Sequence, residues 1–387
     1  MAVGPRNEDT VALIIADDLT GACDAGVHFA ARGVRTQVPM DARSHAGCDA
    51  AVIACNTHTR TSDARVVAST LEPMLTLVKE RRPQILLKKI DSTLRGPVER
   101  EIAWLLERLD LRMAVLAAAF PAAGRVVRDG RVEIRDSNFV VDIARCFPQM
   151  RCAHARREET GALRERIAAE MERGTQVLIV DAESDAELDV IAHTERDGEA
   201  VLWAGSGGLA RAMAAEVSVG GASAGRPQTD GPVLLCVGSD HCVTAEQVRQ
   251  LKREMAVVRV RGDGAGMDAA RHALENGRDV VLEFSREEIE CVPDQALGAR
   301  VGVEHSGAMI VTGGDTAMHV LQSLGVERLE LRAEVEPGIP WSVMNGGAAD
   351  GKVVVTKSGA FGGRDSLVRC VEWLHPMAAR RRKAEAL

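Results

Sequence analysis

The stretch "VALIIADDLTGACDAG", residues 11–26, decides how the chain is read. The apolar run Val11 to Ala16 ends abruptly in two aspartates, Asp17 and Asp18, followed by Leu-Thr-Gly and a series of small residues. A short, continuous apolar run bounded by polar residues is the pattern of a strand buried on both faces. Beyond it, amphipathic spacing runs to Arg32 and stops at Gly33. The expectation is strand, polar turn, helix. In an open parallel sheet, ligands bind beyond the carboxyl ends of the strands, and Asp17, Asp18, Thr20 and Gly21 fall at such an end. Thr20 is expected to cap the helix through its hydroxyl. A cap or turn accounts for one carboxylate but does not require two side by side, so at least one of them reads as functional.

Outward from this unit, the rhythm repeats. "AAVIAC" (50–55), "QILLKKI" (84–90), "MAVLAAAF" (113–120), "VLIVDA" (177–182) and "AVLWAGS" (200–206) read as strands. Between them lie stretches of helical spacing such as "VEREIAWLLERLD", with Ile102, Leu105, Leu106 and Leu109 on one face. "VVRDGRVEI" reads as a hairpin turning at Asp129-Gly130. The rhythm breaks at 218–231, "SVGGASAGRPQTDG", which has no apolar period and is the best domain boundary. It then restarts with "PVLLCVGS", "DVVLEF", "GAMIVTGG" and "KVVVTKSG". The fold class expected is α/β in two domains, 1–217 and 232–387 joined by a linker at 218–231. Each is a mostly parallel sheet flanked by helices, with a ligand cleft between the two.

Composition narrows the function. A chain of 387 residues exceeds one ordinary core, and 46% hydrophobic with 27% charged residues fits a globular protein. No apolar run is long enough to span a bilayer, and "MAVGPRNEDT" lacks the features of a secretory signal. Nine cysteines without a C-x-x-C pair read as reduced thiols, which places the protein in the cytoplasm. A net charge of −8 and the absence of tyrosine argue against nucleic acid as a partner. The basic tail "RRRKAEAL" reads as a solvated helix end. No membrane partner is expected, and a homo-oligomer is compatible with the sequence.

A second strand end, "LLKKIDSTLRG", gathers Lys88, Lys89, Asp91, Ser92, Thr93 and Arg95 within eight residues. Strand alternation sends Lys88 and Lys89 to opposite faces, and one of them reads as a solvated or inter-domain residue. The rest offers carboxylate, hydroxyls and guanidinium together, a set suited to a hydroxylated carboxylic acid. The second half supplies glycine instead of acid, at three strand ends. "VTGGDTA" (311–317) has Gly313 and Gly314 for close backbone approach, with Asp315 and Thr316 beginning a helix. "KSGAFGGRDS" (357–366) contributes Gly359 and Gly362, and "VGSDHCVT" (237–244) contributes Ser239. Three such loops indicate phosphate binding. Neither G-x-x-x-x-G-K-[ST] nor a G-x-G-x-x-G after the first strand is present. His45, Cys48, Cys55 and His58 are too loosely spaced for zinc. Asp181 reads as a cleft residue or a helix cap, and Trp203 and Trp341 as packing.

Taken jointly, "IADDLTGA" (15–22), "KKIDSTLRG" (88–96), "AFPAAGR" (119–125), "GSGGLA" (205–210), "TGGDTA" (312–317), "VEPGIP" (335–340) and "TKSGAFG" (356–362) resemble the four-carbon acid sugar kinase family over nearly the whole chain. The resemblance implies ATP-dependent phosphorylation of threonate, erythronate or a 3-oxo-tetronate with Mg²⁺, an N-terminal acid-sugar domain and a C-terminal nucleotide domain. The expected acid site is Asp17, Asp18, Ser92 and Arg95, with Asp18 or Asp91 as base and Lys89 neutralising the transferring phosphate. The expected ATP site is Ser239, Gly313, Gly314, Asp315, Thr316, Gly359 and Gly362. Mg²⁺ is expected on the phosphates with few protein ligands, which are left unassigned. Three departures bear on the substrate: Asn56 and His58 in "CNTHTRT", where an acidic stretch is frequent; His241, where serine is frequent; and a poor match over 135–160. The competing readings are a non-catalytic acid-sugar sensor or effector and a kinase acting on a neutral sugar.

Overall fold

A computed structural model describes residues 10–41, 48–61, 65–135, 137–194, 201–217, 224–227, 229–290 and 300–375. His45, the basic tail and, within the 218–231 stretch, residues 218–223 and 228 lie outside the described residues. The chain divides into two compact units, Met1–Thr36 with Asp41–Ala222, and Gln37–Met40 with Ser223–Leu387.

In the first unit, the strands run Cys152–Ala155, Val177–Val180, Met113–Ala117, Val201–Gly205, Ile85–Lys89, Ala12–Ala16 and Val52–Asn56 in spatial order, every pairing parallel. All five residues of Ala12–Ala16 are buried, as the unbroken apolar run requires. This strand lies between Val52–Asn56 and Ile85–Lys89, so the chain leaves it first to one side and then to the other. That reversal opens a crevice beyond its carboxyl end. The helix that follows, Leu19–Ala30, is buried at every residue rather than amphipathic. Its small residues Gly21, Ala22, Cys23, Ala25 and Gly26 permit close packing on all sides. The cap is Asp18, which accepts from the Gly21 amide at 2.7 Å, and not Thr20, whose hydroxyl donates to Asp18 at 2.7 Å. The hairpin Arg125–Arg128 with Arg131–Ile134 turns where expected, Asp129 and Gly130 both having positive φ. Asp181 neither faces a crevice nor caps the next helix. It accepts from the Asp129 and Gly130 amides and meets His154, while Ser184 caps Asp185–Ala192.

In the second unit, Val258–Arg261, Val280–Glu283, Val233–Val237, Ala308–Thr312 and Val353–Lys357 pair in parallel, and the sheet continues antiparallel through Ile339–Asn345 and Arg328–Glu336. Gln37, Val38 and Pro39 complete it, pairing with Glu330, Leu329 and Arg328. "VEPGIP" is the turn between the two long antiparallel strands, with Gly338 at φ 75. One face of this sheet buries a core that includes Leu235, Val237, Leu251, Ile310, Val355, Leu367 and Val371, with Trp341 packed 5.5 Å from Trp373.

Candidate active site

Parallel register brings three loops together at the first unit's crevice. Ala16 is opposite both Asn56 and Lys89, so Asp17-Asp18, residues 57–60 and residues 90–95 emerge side by side. The backbone fastens them: the Thr59 and Arg60 amides donate to the Asp17 carbonyl, and the Thr57 amide to the Ala16 carbonyl. Arg60 is the hub. Its Nε and Nη2 donate to the two Asp17 oxygens at 2.7 and 2.8 Å, its Nη1 to Asp18 at 2.6 Å, and Asp91 lies 3.9 Å from Nη1. Burial opposes the Arg60 charge, but Asp18, Asp17 and Asp91 outweigh it and hold the guanidinium protonated. Sequence reasoning missed Arg60, treating "CNTHTRT" only as a departure. The available signal was a lone arginine just past a strand end, near two aspartates in need of a counter-charge.

Asp91 is equally enclosed. It accepts from Thr93 and from Arg95 Nε and Nη2, the last two at 2.9 and 2.8 Å. Burial alone would raise its carboxyl, but the Arg95 hydrogen bonds and the Arg60 and Arg95 charges hold it well below the usual carboxylate range. Arg95, expected as a clamp for an acid, therefore already grips Asp91; its side chain is 53% exposed, and Nη1 has no hydrogen-bond partner among the described residues. The Ser92 hydroxyl has no hydrogen-bond partner among the described residues. Gly96, at φ 93, packs against the Arg60 backbone, where a Cβ would stand 3.3 Å from the Arg60 Cα.

Neither strand lysine is solvated. Lys88 and Lys89 are both buried, on opposite faces. Lys89 Nζ lies 3.4 Å from Asp24, whose carboxyl is raised by burial and only partly pulled back by the Lys89 charge. On the other face, Lys88 Nζ donates to Glu101 at 3.0 Å, and the Thr59 hydroxyl donates to the same Glu101 oxygen at 2.6 Å. This second pair braces the loop that carries Arg60. At the centre is Gly21: a Cβ there would stand 2.6 Å from Asp18 Oδ1, 3.3 Å from Lys89 Nζ and 3.7 Å from Arg60 Nη2. One carboxylate oxygen and two cations thus surround a point that only glycine leaves empty.

In the second unit, Val233–Val237, Ala308–Thr312 and Val353–Lys357 are adjacent, so the three glycine-containing loops converge. Gly313 takes φ 95 and precedes the helix Gly314–Ser323. The conformational demand thus falls on Gly313, while Gly314, Asp315 and Thr316 form the first turn. Ser239 lies between two glycines: a Cβ on Gly313 would stand 3.4 Å from Ser239 Cβ, and one on Gly359 would collide with its hydroxyl. Gly362 also has positive φ. His241, which departs from the frequent serine, caps the helix Cys242–Glu254 by accepting from the Val243 amide at 3.2 Å. Asp240 and Asp315 are exposed carboxylates on these loops with no partner among the described residues.

Comparison with known proteins agrees with this division of chemistry. Residues 12–142 and 134–213 match a family described as a sugar-binding N-terminal domain, and residues 297–367 one described as a nucleotide-binding C-terminal domain. The chain is 33% identical to a D-threonate kinase of Cupriavidus necator over 92% of its length and 96% of the relative's. It is 32% identical to a D-threonate kinase of Bordetella bronchiseptica over 93% and 96%. A solved structure from Salmonella typhimurium LT2 shares the fold, with a TM-score of 0.73 at 22% identity over 93% of this chain and 98% of that one. With an acid-rich crevice in one unit, glycine loops in the other and full-length relatives of this kind, the chain belongs to the four-carbon acid sugar kinase family.

Proposed function

We propose that this kinase transfers the γ-phosphoryl group of ATP to a hydroxyl of a four-carbon sugar acid in the cytoplasm, with D-threonate ahead of erythronate and 3-oxo-tetronate. The names of the two relatives favour D-threonate. The observation that carries the acid-sugar reading is the cradle around Gly21, where Asp18, Lys89 and Arg60 converge at a sheet's switch point. Residues 1–217, apart from 37–40, bind the acid; residues 232–387 bind the nucleotide; 218–231 connect them.

The roles follow from the chemistry of the groups gathered at the crevice. The exposed edge of the Arg95 guanidinium meets the acid's carboxylate, and Ser92 and the Asp17-Asp18 pair meet its hydroxyls. Asp91, held strongly acidic by Arg95 and Arg60, is a poor proton acceptor and anchors those arginines. Of the two candidates this leaves Asp18 as the base, accepting the proton while held by Arg60, Thr20 and the Gly21 amide. Lys89 supplies positive charge for the transferring group, in a reaction that depends mainly on positioning and charge stabilisation. On the nucleotide side, Ser239, Gly314, Thr316, Gly359 and Gly362 hold the phosphates through backbone amides and hydroxyls, while Gly313, whose amide donates to the Lys357 carbonyl, gives the loop its close approach. Asp240 and Asp315 are hard oxygen donors that fit Mg²⁺ beside those phosphates, where it would offset their charge.

The test is ADP release with ATP, Mg²⁺ and a panel of D-threonate, D-erythronate, 3-oxo-tetronate and the neutral polyol threitol. Release with an acid but not with threitol is expected, with the highest kcat/KM for D-threonate. Clear binding of an acid without turnover would favour the sensor, and equal turnover of threitol would favour a neutral-sugar kinase.

A further inference from the structure

Lys357 ends the strand Val353–Lys357 and is completely buried. Its ammonium donates to the Ser358 carbonyl at 2.9 Å, the Phe361 carbonyl at 3.2 Å and the Thr244 hydroxyl at 3.4 Å. The Thr244 hydroxyl in turn donates to the Gly359 carbonyl at 2.8 Å. Gln247 Nε2 donates to the carbonyls of Phe361 and Gly363 at 3.0 and 2.8 Å. Four carbonyls of one glycine loop therefore face inward onto three side chains. A trans peptide is planar, with its N–H opposed to its C=O, so turning the Ser358 and Phe361 carbonyls inward turns the Gly359 and Gly362 amides outward. Neither amide has a partner among the described residues. These two outward amides are hydrogen-bond donors available to an anion. The Lys357 carbonyl also accepts from the Gly313 amide at 2.8 Å, tying this loop to the one beside it.

We infer that Lys357 is a positioning residue for the nucleotide: its ammonium orients the 358–363 loop so that the loop's amides are presented to phosphate. The inference rests on the nucleotide reading of these loops. It adds a consequence for pH. Burial lowers the Lys357 ammonium to about 8, against the opposing influence of Cys370 and Glu336. The charged groups around it are Glu336, at the end of the strand Arg328–Glu336, which accepts from Ser366 and Arg369, and on the last helix Arg369 and Cys370, the latter a thiol pushed up to about 12 by burial. His241 borders the same loop from the helix Cys242–Glu254, whose Thr244 and Gln247 are uncharged. Burial thus brings the Lys357 ammonium into the range between about pH 7.5 and 9.5, where it is expected to lose its charge. Losing that proton removes one of its three donors and loosens the loop.

Calorimetric titration of ADP tests this, on wild type and Lys357→Met, between about pH 7.5 and 9.5, with D-threonate titrated in parallel and a thermal melt of each protein. In wild type, ADP affinity should fall by about tenfold over this range, equivalent to about 1.4 kcal/mol, while D-threonate affinity holds. Lys357→Met should bind ADP at least about tenfold more weakly at the lower pH, with no further fall at the higher one. A folded Lys357→Met that binds ADP like wild type would overturn the inference. So would a wild-type ADP affinity that is flat with pH, which decides the matter even when the variant does not fold. Absence of ADP binding by wild type at any pH would instead sink the nucleotide reading, and the role of Lys357 with it.

Discussion

At the scale of single residues, the site is defined by who is already partnered. Arg60 satisfies Asp17 in a two-pronged grip and reaches Asp18 with its remaining arm, so these aspartates are fixed before any ligand arrives. The pair of aspartates was legible in the sequence because two carboxylates at a strand end have no structural necessity. Arg60 was not, since it lies more than forty positions away and only the parallel register brings it in. Gly21 provides a test in which activity and stability separate. Alanine in a helix gains up to about 1 kcal/mol over glycine, yet here its methyl would press on Asp18 Oδ1 and Lys89 Nζ. Gly21→Ala should stay folded in a thermal melt while kcat/KM for the acid falls by more than about tenfold, or roughly 1.4 kcal/mol; a fully active variant would remove the cradle from the site. Asp91 carries the pH dependence. Its folded pKa is depressed, so its stabilising contribution is complete above the unfolded value of about 3.9 and is lost as pH falls below it. Asp91→Asn should therefore be less stable than wild type at neutral pH, with the gap closing in urea unfolding below about pH 4.

At the scale of elements, what could be read was whatever is buried on both faces. Ala12–Ala16, Met113–Ala117 and Val233–Val237 are continuous apolar runs, Val353–Lys357 begins with one, and all appear where the sequence puts them. Edge strands were not readable. Val258–Arg261 alternates Val and Arg, with both arginines exposed, and resembles a surface loop. Thr36–Pro39, an internal strand, was hidden for another reason: its partner Arg328–Glu336 lies nearly three hundred residues away, a pairing with no local signature. The elements also explain why two lysines are adjacent. Lys89 serves the crevice, whereas Lys88 joins the helix Val98–Arg108 to the sheet through Glu101, and through Thr59 braces the Arg60 loop. Removing one partner of such a buried pair typically costs roughly 3–5 kcal/mol, because the other charge is stranded. Lys88→Met and Glu101→Leu should each be destabilising on that scale, and the double variant should recover part of the loss. Chemical denaturation of the four proteins gives the coupling energy, and strict additivity would show that the pair does not interact.

For the whole molecule, chemistry is divided by unit: carboxylates and cations at the strand ends of one, glycines at those of the other. The alternation of strands and helices and the two kinds of strand-end sequence made this division legible. Side-chain pairing was hidden, because Asp91 with Arg95, Lys89 with Asp24 and Lys357 with its loop depend on distances that spacing alone does not specify. The claim at the centre is that acid and nucleotide are held by separate residue sets, and calorimetry on two variants tests it most directly. Arg60→Lys keeps the charge but loses the planar fork on Asp17. Gly313→Ala forces a side chain into φ 95, a strain of about 1–3 kcal/mol that distorts the loop next to Ser239. Arg60→Lys should lose D-threonate affinity and bind ADP normally, and Gly313→Ala should do the reverse. If instead a folded Arg60→Lys loses ADP and keeps D-threonate, or a folded Gly313→Ala loses D-threonate and keeps ADP, the assignment of ligands to units is contradicted.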